Sequence, residues 1–144
     1  MSDEPDLRRV VADADVLSAD LLVGGEARAA LDLIREHDVL ELIASDPLLD
    51  DTEAIVTELA TAELAADHRA CLRSLATSVE QPPADHPGLA SARAGGAAQL
   101  LSFDDQLRSA RTGLELKPHV AVSVRTPAAF CSLLDEATIA ALED

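Results

Sequence analysis

The ten residues Arg8–Leu17, RRVVADADVL, decide the fold. Val10 and Val11 form a short β-branched run that reads as a buried first strand, and the run ends in two acids, Asp13 and Asp15. In open α/β sheets ligands sit beyond the carboxyl ends of the strands, where loops and helix N-termini converge. Acids at that place are therefore the first candidates for chemistry, provided the rest of the chain builds such a sheet.

Downstream, strands and helices alternate. Gly24 and Gly25 break the chain before a helix carrying Ala27, Ala30, Leu31 and Ile34 at helical spacing. VLELIASDP (39–47) predicts a second strand, with Glu41 outward against Leu40, Leu42 and Ile43, and then a helix start with Ser45 or Asp46 as N-cap and Pro47 in the first turn. Leu48, Leu49, Thr52, Ile55, Val56 and Leu59 continue as one helical stripe, extended through Leu64, Cys71, Leu72, Leu75 and Val79. EQPPADHPG (80–88) is a break. A small-residue helix with Leu89, Ala90, Ala92 and Ala94 follows, then a stop at Gly95-Gly96 and a third strand, AAQLLS (97–102).

A short helix from Asp104 to about Ala110, a loop at Gly113, and a strand HVAVSV (119–124) come next, with Val120, Val122 and Val124 in strict alternation. Thr126 and Pro127 then open a last helix as N-cap and first residue. The alternation predicts one domain over residues 1–144, a three-layer α/β/α sandwich around a central, mainly parallel sheet of about four or five strands. Residues 1–7 are polar and expected to be flexible.

Composition narrows the setting. The chain carries 27 acidic residues against 11 basic ones, a formal charge of −16, and ten of the basic residues are arginine, with Lys117 the exception. At 48% hydrophobic residues it is no disordered acidic tail. Excess acid with almost no lysine resembles the cytoplasmic proteins of salt-in extreme halophiles. At about 1 M salt the Debye length is only ~3 Å, so an acidic surface does not exclude nucleic acid there, whereas in dilute buffer self-repulsion should weaken the fold.

Cys71 and Cys131 fit free thiols of a reducing cytoplasm better than a disulfide or a zinc site, and His37, His68, His86 and His119 lack metal-ligand spacing. No signal peptide and no apolar run of ~20 residues is visible, so a soluble cytoplasmic protein is expected, away from membranes. Neither a basic stripe nor an aromatic platform for stacking bases is legible, since Phe103 and Phe130 are the whole aromatic complement.

Four acids stand out. Asp13 ends the first strand, Asp104 lies two residues beyond the expected end of the third, and Asp85 precedes a helix whose N-terminus returns to the same edge. In the second helix Asp51 shares the stripe of Leu48, Thr52 and Ile55, while Asp50 aligns with Asp46 and Glu53 toward water. Each unpaired buried carboxylate costs several kcal/mol, so acids gathered there call for a hard divalent cation, Mg²⁺ or Mn²⁺, able to activate water against a phosphodiester. The plainer reading makes Asp13 and Asp104 solvated strand-end acids, Asp85 an N-cap and Asp51 an exposed helix acid.

In their order along the chain, VVADADVL, IASDPLLDD, ADHPGLASA, AAQLLSFDDQL and VAVSVRTPAAF resemble the PIN-domain nucleases. The resemblance implies metal-binding roles for Asp13, Asp51, Asp85 and Asp104, spaced 38, 34 and 19 residues apart, with Asp15 where the family often has Asn and Asp51 where it usually has Glu. It places Ser102 where Thr is usual, orienting Asp104 by a hydroxyl bond. It further implies a metal-dependent endoribonuclease acting on single-stranded RNA, either the toxin of a pair, with a small antitoxin as partner, or an RNA-processing nuclease.

Two alternatives stand beside it. A catalytically silent PIN-like module would serve binding or assembly, its alanine-rich helices near Cys71 and Leu75 forming a homodimer face. DADVL also resembles the D-x-D motif of haloacid dehalogenase-like phosphatases, but Lys117 follows both acid motifs instead of lying between them and no Gly follows Asp15, so that reading is set aside.

Overall fold

A computed structural model of the chain describes residues 6–80, 86–105, 107 and 122–143. The opening stretch forms strand β1 (Asp6–Ala12), in which Val10, Val11 and Ala12 have no solvent exposure at all. The strand starts earlier than the polar sequence suggests. Asp6 and Leu7, expected to be flexible, join it because the Asp6 N–H donates to the Gly96 carbonyl at 2.7 Å and the Asp6 carboxylate pairs with Arg8.

The chain then runs through α1 (Ala14–Leu22), α2 (Gly25–Glu36), β2 (Glu41–Ala44), α3 (Asp46–Leu59), α4 (Ala62–Leu75) and β3 (Thr77–Ser78). After these come α5 (Pro87–Gly95), β4 (Ala97–Leu101), β5 (Ser123–Arg125), α6 (Pro127–Leu133) and α7 (Glu136–Glu143). The five strands make one sheet in the order β3-β2-β1-β4-β5, every pairing parallel, and with the seven helices among the described residues it forms a three-layer α/β/α sandwich. All five residues of β4 are buried, as a strand requires when both faces of its sheet are covered.

Helix starts fall where the sequence puts them. Ser45 caps α3 by accepting from the Leu48 N–H, and Thr126 caps α6 by accepting from the Ala129 N–H, each with Pro in the first turn. Other elements depart from the sequence pattern. Helix α1 is unannounced because Ala14, Val16, Leu17, Ser18 and Asp20 are all buried, which leaves little polar face to mark a period. The long helical run divides at Ala60-Thr61, where Thr61 caps α4 afresh, and ends at Leu75; Thr77-Ser78 become an edge strand too short to carry any periodicity.

The inward face of α4 is Ala65, His68 and Leu72, while Cys71 is exposed. The inward face of α3 is Leu48, Leu49, Thr52 and Val56, so Leu59 and Asp51, both exposed, lie off it. The expected helix after Asp104, the loop at Gly113 and the start of the HVAVSV strand lie largely outside the described residues.

Candidate active site

Topology marks one place on this sheet. From β1 the chain steps outward to β2 and β3, then returns to the other side of β1 for β4 and β5, so the order reverses between β1 and β4. Ligands of open α/β sheets bind at such a switch point, beyond the strands' carboxyl ends. β1 and β4 pair Ala12 with Leu101, which sets the next residues, Asp13 and Ser102, side by side. The Asp13 N–H donates to the Leu101 carbonyl at 2.9 Å and the Ser102 N–H to the Arg125 carbonyl at 2.9 Å, fixing both backbones.

Around that pair the side chains interlock. Asp13 is the N-cap of α1, its Oδ1 accepting from the Ala14 N–H at 2.9 Å, and its side chain is 15% exposed. Fully buried Ser102 donates from Oγ to Asp13 Oδ2 at 3.2 Å, stands 3.5 Å from Asp15 Oδ2, and accepts from the Asp104 N–H at 3.0 Å. One hydroxyl proton thus faces two carboxylates. Asp15, in the first turn of α1, accepts on Oδ2 from the Phe103 N–H at 3.0 Å, while its buried Oδ1 has no hydrogen-bond partner among the described residues. Burial holds the Asp15 carboxyl above the usual carboxylate range, reinforced by the negative charges of Asp13 and Asp104 and opposed by the Phe103 bond.

His86 closes the site from α5. Its Nδ1 accepts from the Leu89 N–H at 3.0 Å as the helix N-cap, so the proton of the neutral ring sits on Nε2, 3.4 Å from Asp13 Oδ2. The Asp13 contact raises the His86 pKa against burial, whereas the capping bond needs an unprotonated Nδ1. Buried Ser45 and Ser91, 2.7 Å apart between their hydroxyls, tie α5 to the start of α3. Gly88 is required by the close approach: a Cβ there would stand 2.7 Å from Asp13 Oδ1.

Asp13 and Asp104 are thus brought to one edge, with Asp104 exposed at the rim. Asp51 is exposed on α3 and takes no part in the bonds that join Asp13, Asp15, Ser102 and His86; neighbouring Asp50 pairs with Arg69 at 2.7 Å. Asp85 lies outside the described residues. The helix cap beside it is His86.

The sequence reading noted Asp15 at the strand end but left it out of the metal-binding set, and it gave His86 little weight. Both had signals: Asp15 follows Asp13 by two residues at a strand end, and a side-chain acceptor directly before Pro87 marks a helix start. Ser102 holds Asp104 through the backbone N–H of that residue.

The donor set is one a hard divalent cation takes, carboxylate oxygens with one buried oxygen unpartnered. Among the described residues no three Asp, Glu, His or Cys side chains stand close enough to hold one ion together. Mg²⁺ commonly keeps several waters and takes only one or two protein carboxylates, so Asp13 and Asp15 would suffice as protein ligands.

Compared with known sequences, the chain matches one family over residues 4–143, nearly its whole length. The chain belongs to the DUF7384 family, a family of unknown function. No curated protein and no solved structure matches it. Asp13, Asp15, His86, Ser102 and Asp104 of this DUF7384 chain all fall inside the matched span. Among its described residues no helix is long and apolar enough to cross a membrane.

Proposed function

We propose that this DUF7384 protein is a PIN-like, metal-dependent endoribonuclease that hydrolyses phosphodiester bonds of single-stranded RNA in the cytoplasm. The observation that carries the reading is the pair of carboxylates at the sheet's switch point, one of them with a buried oxygen that no described residue satisfies by a hydrogen bond. Bound Mg²⁺ or Mn²⁺ would supply positive charge and a water of lowered pKa. Asp13, pinned by Ala14, Ser102 and the His86 ring, is the fixed ligand. Asp15 would be the second ligand, the ion's positive charge offsetting the burial and the neighbouring carboxylates that raise its pKa. Asp104, at the exposed rim, would meet the strand as it enters.

The test is cleavage of end-labelled single-stranded RNA in molar KCl with Mn²⁺. Asp13→Asn and Asp104→Asn should each lower the rate by roughly 100-fold or more. Cleavage unchanged in both variants would place the activity elsewhere.

One observation favours a second reading, a silent binding module. His86 stands where it can neutralise Asp13 without any metal. Mn²⁺ separates the two, because a functional cluster gains thermal stability from the ion and a silent one does not.

A further inference from the structure

Only two aromatic side chains exist in this chain, and they are used in opposite ways. Phe130 is completely buried in the core, whereas Phe103 is 41% exposed. A single exposed apolar side chain is ordinary by itself. Its setting here is not. Phe103 lies between fully buried Ser102 and the rim acid Asp104, and its own N–H is held by Asp15 Oδ2 at 3.0 Å. The benzyl group therefore starts two bonds from an atom tied to the acidic cluster.

The other exposed large apolar residues, Leu7, Val23, Leu59, Leu64 and Leu133, have no such anchor to the cluster. The groove between α2 and α4, lined by Arg28, Arg35 and His68, suggests no defined ligand, because its guanidiniums are committed to Asp20.

We infer that Phe103 is the stacking platform of the site, holding a nucleobase of a single-stranded nucleic acid while the adjacent phosphodiester lies against Asp13 and Asp15. The inference rests on the nuclease reading and names what grips the substrate. A base and its phosphate are joined through one sugar, and here an exposed aromatic face and the carboxylates are joined through one backbone N–H. The charge balance supports a stacked grip: a chain of −16 with ten arginines has little to spare for phosphates, and stacking works with every base. Salt weakens phosphate contacts, but a stacked base is held by contact and desolvation that molar KCl does not screen. Phe103 is a positioning residue; it touches no reacting atom.

The chain has no Trp or Tyr, which makes the test direct. Phe103→Trp introduces the sole indole, and Leu133→Trp, at a site 39% exposed on α6, is the control. In molar KCl with Ca²⁺ replacing Mn²⁺, a twelve-nucleotide single-stranded RNA should quench the indole at position 103 and not at 133. An abasic strand of equal length should quench neither.

Phe103→Ala should weaken RNA binding by roughly 5- to 100-fold, the range found for removing one base stack, and in cleavage assays should raise KM with kcat little changed. Phe103→Trp should restore both. Cleavage by the wild type with no quenching at 103 and an unaltered KM in Phe103→Ala would overturn the stacking role while leaving the nuclease. Quenching at 103 without any cleavage would uphold the stack and remove the hydrolysis. Equal quenching by the abasic strand would also overturn the inference.

Discussion

Helix α1 carries two half-buried or buried acids five residues apart, and the protein treats them differently. Asp20 has a side chain only 4% exposed; its two carboxylate oxygens are bridged by Arg35 from α2, while Arg28 donates to its backbone carbonyl. Among the described residues Asp15 has no guanidinium partner. Its neighbours are two further carboxylates, the backbone N–H groups of Phe103 and Val16, and a shared hydroxyl. Both acids face a desolvation cost on the order of several kcal/mol if left alone. At Asp20 the chain meets that cost with one of its scarce cations; at Asp15 it leaves the cost standing. An acid that only braces two helices is paired, and one left short of a counter-charge at a ligand-binding edge is in place for something the chain does not itself supply.

The largest effect expected from breaking this contrast is on the Asp20 side. Arg35→Ala leaves a buried carboxylate with only Arg28, whose Nε stands 3.9 Å away. The loss should be about 2 kcal/mol, below the ~3–5 kcal/mol of a fully buried pair because the Arg35 side chain is itself 37% exposed. Urea unfolding in molar KCl measures it, and a change under about 0.5 kcal/mol would show that Asp20 does not depend on its partner.

Asp15→Asn should act in the opposite sense. The amide oxygen keeps the bond from the Phe103 N–H while a poorly compensated charge disappears, so the variant should gain about 1 kcal/mol, or a few degrees in Tm, as it loses activity. A fall in Tm would mean that Asp15 is structural, like Asp20, and the contrast would collapse.

Which parts of this were legible in the sequence follows from how local each cause is. Ser45, Pro47, Thr126 and Pro127 act within one turn, and their helices start where the sequence places them. The parallel sheet was readable from alternation, and the site's edge from Asp13 at a strand end. Asp15 owes its importance to a bond from a residue 88 positions away, which no spacing rule reports. His86 matters because α5 packs close enough to Asp13 to exclude even a methyl group at Gly88, again a tertiary fact. The reading of Asp51 as inward failed on rotation: choosing Ile55 and Leu59 for the stripe turned the helix, whereas Val56 is fully buried, Leu59 is 70% exposed and Asp51 lies in solvent.

The smallest effect tests whether the Asp20 side is a closed structural unit, through His68 on α4. This ring is 8% exposed, its buried Nε2 has no hydrogen-bond partner among the described residues, and it faces Asp20 from α1, Arg28 and Arg35 from α2, and Asp67 beside it on α4. Burial lowers its pKa below the ordinary 6.5; Asp20 pulls it upward and Arg35 pushes it further down. As pH falls through 6.5 the unfolded chain takes up a proton at His68 that the folded chain refuses. The stability His68 contributes is therefore complete above 6.5 and drains away on acidification until the folded ring titrates as well. The slope from one such group cannot exceed ~1.4 kcal/mol per pH unit. His68→Gln, which does not titrate, should flatten the stability profile on the acid side of about pH 6.5 relative to the wild type, measured by urea unfolding at fixed molar KCl. Identical slopes would mean that Asp20 compensates the imidazolium fully, so that the carboxylate braced by Arg35 retains enough field to serve a second cation and its pairing is less exclusive than the geometry indicates.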